Sequence, residues 1–182
     1  MVIDMQRYFM ERGASAFLAP PCTMVPNVLA LIDEFRARGL PIIFTRHAHR
    51  KGDPAGQMGR WWKGKLPRLG DPESEIIDSI SPMKGELCIT KQRYSAFEGT
   101  DLAERLRRRR VRTLAICGVM TNLCVETTAR HAFMKEFQPV IVKDACAANS
   151  QRLHKASLAN LAYGFAHIVG TREILSTLRR LP

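Results

Sequence analysis

The chain has no apolar run approaching the roughly 18 residues that a membrane span requires, and its first residues, Met1 to Arg7, include no signal-peptide hydrophobic region. A cytoplasmic protein with no membrane partner is the expectation. None of the five cysteines (Cys22, Cys88, Cys117, Cys124, Cys146) forms a Cys-x-x-Cys pair, and their number is odd. That excludes a disulfide framework and a zinc ribbon and leaves at least one free thiol. Repeats, linkers and low-complexity tracts are absent. Acidic residues are few, 17 against 28 Lys plus Arg, so the net charge is +11. Such a field attracts anions, but the aromatic interleaving and RNA or DNA motifs of a nucleic-acid module are missing. No nucleic-acid partner is expected. The run Arg105, Arg107, Arg108, Arg109 and Arg110 instead closes a helix, where positive charge meets the negative end of the dipole.

What is present is an ordinary globular composition, 46% hydrophobic and 25% charged over 182 residues. It predicts one domain spanning residues 1–182. Val28, Leu31, Ile32 and Phe35 recur at helical spacing, with Pro26 suited to a first turn and Gly39 followed by Pro41 at the end. Short apolar segments at Val2-Ile3, Ile42 to Thr45, Leu87 to Thr90, Thr113 to Cys117, Val140 to Val142 and His167 to Val169 read as strands. Helical stripes lie between them: Leu102/Ala103/Leu106, Val125/Ala129/Ala132/Phe133, Leu158/Leu161/Ala162/Phe165 and Ile174/Leu175/Leu178. Apolar strands alternating with amphipathic helices predict an α/β fold, a three-layer α/β/α arrangement around a six-stranded, mostly parallel sheet. The stretch from His47 to about Pro72 is long, polar and glycine-containing, and reads as a functional loop or lid.

In an open parallel sheet, ligands bind past the carboxyl ends of the strands. Asp4 ends the first strand, Lys91 ends the third, and Cys124 lies where the fourth turns into a helix. A helix start and a nearby ammonium both favour thiolate, so Cys124 is a candidate nucleophile with Lys91 as the cation. Asp4 can then take the thiol proton and return it to a leaving amine, while backbone N–H groups of the turn receive the oxyanion. Taken singly, each residue has a plainer reading. Cys124 can be a small core residue, Asp4 a turn acceptor and Lys91 a solvated strand-end lysine. Their convergence on one sheet edge carries the catalytic reading.

The residues Val2-Ile-Asp-Met-Gln6 with Phe9, Lys91-Gln-Arg-Tyr-Ser-Ala-Phe97 and Gly118-Val-Met-Thr-Asn-Leu-Cys-Val-Glu-Thr-Thr128 resemble the isochorismatase-like cysteine hydrolases. That family includes nicotinamidases, N-carbamoylsarcosine amidohydrolase, ureidoacrylate hydrolase and biuret hydrolase. The resemblance covers nearly the whole chain. It implies a catalytic triad of Asp4, Lys91 and Cys124, and a cis peptide between Val119 and Met120 that helps form an oxyanion hole with Cys124. The implied reaction is hydrolysis of a C–N bond in a small amide or ureido substrate through a thioester. Isochorismatase-type ether hydrolysis, found in members without the cysteine, is the alternative enzyme class; a noncatalytic or nucleic-acid-binding scaffold is the alternative outside enzymes.

Two departures from the family pattern matter. Only Met1, Val2 and Ile3 precede Asp4, where the family usually has a longer first strand. Nicotinamidases hold a metal with Asp-x-His and a later His, whereas this chain reads His47-Ala-His49 with Asp53 nearby. No metal and no cofactor are therefore expected, and His47 and His49 read as a polar loop pair. Phe9, Trp62, Tyr94 and Phe97 are the candidate substrate-binding aromatics. A homo-oligomer, dimer or tetramer, is expected.

Overall fold

The computed structural model describes residues 1–21 and 23–180; Cys22 lies outside the described residues. Six strands form one sheet: β1 (Val2–Ile3), β2 (Ile43–His47), β3 (Leu87–Lys91), β4 (Thr113–Val119), β5 (Gln138–Ala147) and β6 (His167–Val169). Their order is β3-β2-β1-β4-β5-β6 and every pairing is parallel. The strands are rich in β-branched and apolar residues, and Ile3, Phe44, Ile116, Ile141 and Val142 are fully buried, as a sheet covered on both faces requires.

The main helices are α1 (Arg7–Met10), α2 (Met24–Ala37), α3 (Gly56–Trp61), α4 (Leu102–Arg108), α5 (Glu126–Met134), α6 (Gln151–Gly164) and α7 (Thr171–Arg180). Helices α2 and α7 pack on each other and on β5, while α5 and α6 pack on each other and on β5 and β6. This is the three-layer α/β/α fold. The α2 stripe behaves as its spacing predicts, with Val28, Leu31 and Ile32 buried. Gly39, at φ 62°, then stops the helix: Leu40 N–H donates to Phe35 O and Gly39 N–H to Arg36 O, which satisfies two terminal carbonyls. At the start of α6 the Ser150 hydroxyl accepts from Leu153 N–H.

Two local expectations are corrected. Strand β2 runs to His47, so His47 belongs to the sheet and the long loop begins after it. Phe133, assigned to the buried stripe of α5, is 48% exposed and meets Phe165 edge-on at the surface. The arginine run does close α4, where Arg105 pairs with Asp101 and Arg108 with Glu104 one turn apart. No helix among the described residues is long and apolar enough to cross a membrane.

The strand order places the site. From β1 the chain winds outward to β2 and β3, then returns to lay β4 on the other side of β1. At that reversal the connections after β1 and β4 diverge and leave a crevice beyond the strand ends. Asp4 follows β1, the segment 120–125 follows β4, and His47 and Lys91 end β2 and β3.

Candidate active site

Asp4 is the first residue past β1 and is fully buried. Its backbone takes a left-handed conformation, φ 48°, which turns the chain at the strand end. Thr45 fixes it there: Asp4 N–H donates to Thr45 O at 3.2 Å, and the Thr45 hydroxyl donates to Asp4 Oδ1 at 2.6 Å. The other carboxylate oxygen, Oδ2, lies 2.6 Å from Lys91 Nζ.

Lys91 is also buried, against the expectation that taken alone it is a solvated strand-end lysine. Its ammonium has three protons and three partners: Asp4 Oδ2, Cys124 Sγ at 3.3 Å and Arg93 O at 3.1 Å. Burial pulls the Lys91 ammonium down, but its contacts with the Asp4 carboxylate and the Cys124 sulfur together outweigh it and hold the group above its ordinary value. Lys91 therefore stays a cation.

Cys124 sits in a wide turn, Thr121–Val125, between β4 and α5. In that turn Val125 N–H donates to Met120 O, five residues back. The Val119–Met120 peptide is cis. Gly118 lets β4 reach this point: its φ is +113°, and a Cβ there would stand 2.1 Å from the backbone oxygen of Ile3. Only glycine allows β1 and β4 to approach so closely, which brings Asp4 to Cys124. The thiol is buried, and that burial, partly opposed by Lys91, pushes its pKa up to about 12. The helix start and the lysine favour thiolate, but in the folded protein desolvation outweighs them. At neutral pH Cys124 is a thiol.

A cleft of about 350 Å³ opens onto Cys124. Phe9, Trp62 and Tyr94 line it, together with His47 and Met120. Phe97 does not line it; this side chain is 5% exposed in the core, stacked on Phe137 and tilted against His131. The long loop supplies one wall through Met58, Trp62, Leu66 and Pro67. Sequence reasoning missed a second wall, the segment from Ser15 to Leu18, which has no motif of its own. It also missed Gln6, buried two residues after Asp4, whose amide donates to His47 O and accepts from His47 N–H. The signal for Gln6 was its place in the Asp-Met-Gln motif.

His47 and His49 are buried, not a loop pair, with their Nε2 atoms 3.2 Å apart. Burial and the charge of Lys91 push His47 down to about 3, so it is neutral. A catalytic zinc takes three protein ligands. Among the described residues, the only three metal-capable side chains within 4.8 Å of one another are Asp4, His47 and Cys124. Two of these already hold the Lys91 ammonium, which would repel a metal ion. Asp53 is held by Gln92 and by Arg50 N–H and is not part of that group. The nicotinamidase type of metal site does not fit these residues.

The model of the isochorismatase domain matches residues 1–173. The chain is 39% identical over 183 residues to nicotinamidase 3 of Arabidopsis thaliana, covering 98% of this chain and 87% of that protein. It is 29% identical to the ureidoacrylate amidohydrolase RutB of Caulobacter vibrioides, covering 100% and 91% of the two chains. The crystal structure of a cysteine hydrolase from Pseudomonas syringae pv. phaseolicola superposes with a TM-score of 0.93 at 28% identity, covering 98% and 90%. The fold is three-layer α/β/α, with the candidate site at the sheet's switch point. The chain belongs to the isochorismatase family, and it is an enzyme of the amidohydrolase type acting on a small molecule.

Proposed function

We propose that the protein hydrolyses the C–N bond of a small amide or ureido substrate with Cys124 as nucleophile, Asp4 as general acid and base, and Lys91 as the fixed cation. The observation that carries this reading is the buried Lys91 ammonium contacting both Asp4 and Cys124, the last of which lines the cleft. With a carboxylate, an ammonium and a thiol, the cluster has no net charge. Losing the thiol proton to solvent would leave a buried negative charge, which is why the thiol pKa is high. Moving that proton to Asp4 keeps the total at zero. Attack therefore couples to internal transfer: sulfur bonds to the carbonyl carbon as Asp4 takes the S–H proton.

The carbonyl oxygen becomes an oxyanion beside the turn from Val119 to Cys124, whose backbone N–H groups are the candidate donors. Asp4 returns the proton to the departing nitrogen, the C–N bond breaks, and ammonia or an amine leaves a thioester on Cys124. Water then adds to the thioester while Asp4 accepts its proton. Collapse releases the carboxylic acid and restores the thiol.

Among the described residues the cleft lining holds one lysine, Lys65, and no arginine or carboxylate side chain, which favours a compact substrate that is neutral or carries a single negative charge. Nicotinamide, suggested by the Arabidopsis relative's name, has that character. Ureidoacrylate, suggested by the Caulobacter relative's name, carries a negative charge, for which Lys65 is the cation in the lining. Ammonia release from a panel of both types by the native protein and by Cys124→Ala tests the reading. Turnover confined to the native protein supports it, and undiminished turnover by Cys124→Ala returns the thiol-independent ether-hydrolase class.

A further inference from the structure

The triad leaves the buried imidazole of His47 without a role, although it lines the cleft with Cys124. Strand geometry puts it there. Side chains two residues apart on a strand share a face, and parallel strands in register present theirs to the same side. Thr45 and His47 on β2 therefore project with Lys91 of β3, the register partner of His47. The Thr45 hydroxyl meets Asp4 Oδ1 at 2.6 Å. Two residues further along, a ring nitrogen of His47 joins a carboxylate oxygen of Asp4 and Cys124 Sγ in a group whose members all lie within 4.8 Å of one another.

His47 is held at its backbone and on its ring. The Gln6 amide accepts from His47 N–H at 2.8 Å and donates to His47 O at 2.9 Å, while Nε2 of the ring faces His49 Nε2 at 3.2 Å. Three atoms no more than 4.8 Å apart share a point within about 2.8 Å of each, the length of a hydrogen bond. A water oxygen at that point has the Asp4 carboxylate and the His47 ring as polar partners, the number a bound water requires. In the thioester the carbonyl carbon is bonded to Cys124 Sγ, so the same oxygen stands beside the carbon it must attack.

We propose that His47 is a catalytic residue for the second half of the reaction, holding the water that hydrolyses the thioester between its imidazole and Asp4. This rests on the reading of Cys124 as nucleophile. The ring is neutral and stays so. It fixes the water through one hydrogen bond while Asp4 takes the water's proton and the oxygen bonds to the carbonyl carbon. Collapse then breaks the C–S bond, and Asp4 gives the proton to the departing sulfur. Acylation consumes no water, so the role of His47 belongs to deacylation alone.

The test separates the two halves with p-nitrophenyl acetate as acyl donor: sulfur bonds to the acetyl carbon, p-nitrophenolate leaves, and water later releases acetate. The reaction is stopped in acid at set times, and acetyl on each cysteine is followed by peptide mass spectrometry. Cys88, exposed and distant in role, forms the same adduct and serves as an internal clock for uncatalysed hydrolysis. His47→Phe should lengthen the lifetime of acetyl-Cys124 about tenfold or more, the effect of losing one hydrogen bond to the water, with the rate of Cys124 acetylation within threefold of native. His47→Asn, which keeps a hydrogen-bonding group, should lengthen it less. Equal slowing of acetylation and deacetylation in both variants would mean that His47 only shapes the cleft, and an unchanged lifetime would remove it from the reaction; both outcomes overturn the proposal and leave Cys124 as nucleophile intact. Absence of acetyl from Cys124 in native protein and variants alike would overturn the nucleophile reading, and this proposal with it.

Discussion

Lys91 Nζ lies 2.6 Å from Asp4 Oδ2, with both side chains shut off from solvent at the ends of two strands separated by β2. A buried ion pair of this kind adds little net stability, because desolvation offsets attraction, but breaking it from one side is costly. The pair thus sets the charge state of the site.

Lys91→Met leaves Asp4 buried without its cation and should cost about 3 to 5 kcal/mol, well beyond a surface substitution. Turnover should be lost as well. Adding Asp4→Asn to Lys91→Met should recover much of the stability and none of the activity. Urea unfolding of the single and double variants checks this; equal midpoints for native protein and Lys91→Met would contradict the buried pair.

Gly118→Ala should be among the most damaging single changes, above about 4 kcal/mol, because the new Cβ meets the Ile3 backbone and cannot be relieved by a rotamer. Gly164→Ala is the control. A Cβ there meets nothing within 4 Å, so the change should be neutral or stabilising by about 0.5 to 1 kcal/mol. Thermal unfolding of both variants separates the two predictions.

Acid sensitivity follows from His47. Its folded pKa is depressed to about 3, against 6.5 for the ordinary group, so the unfolded chain binds this proton first. Stability is fully present above about 6.5 and falls as pH drops toward 3. In His47→Asn, the slope of unfolding free energy between pH 6 and 5 should shrink by close to one proton, about 1.4 kcal/mol per pH unit. An unchanged slope would show that His47 is not held neutral.

Chelation should leave activity unchanged, since the one group of three metal-capable side chains among the described residues, Asp4, His47 and Cys124, already holds the Lys91 ammonium. Dialysis against a strong chelator, followed by assay and elemental analysis, checks this. Loss of activity that zinc restores would show that the two imidazoles suffice for a metal.

The α/β alternation, the parallel sheet and the meeting of Asp4, Lys91 and Cys124 at one edge were legible because periodicity and strand-end position are local signals. The protonation state of Cys124 was not. A helix start and a lysine both argue for thiolate, and the opposing effect, burial, exists only once the chain has folded. Lys91 looked solvated for the same reason. Phe97 sat inside a site motif yet packs on Phe137, since facing in or out at a strand end depends on the turn. The polar run after His47 hides in the sequence that β2 extends to this residue. Cys88, unremarkable in sequence, is exposed, so it should react with iodoacetamide before Cys124 does.

The most direct test of the central claim is to stop the reaction in acid during turnover of a small amide and map the enzyme by mass spectrometry. The account predicts an acyl adduct on Cys124, removed by hydroxylamine and absent from Cys124→Ala, with Cys88, Cys117 and Cys146 unmodified. Sustained turnover with no adduct on Cys124, or undiminished turnover by Cys124→Ala, would contradict it.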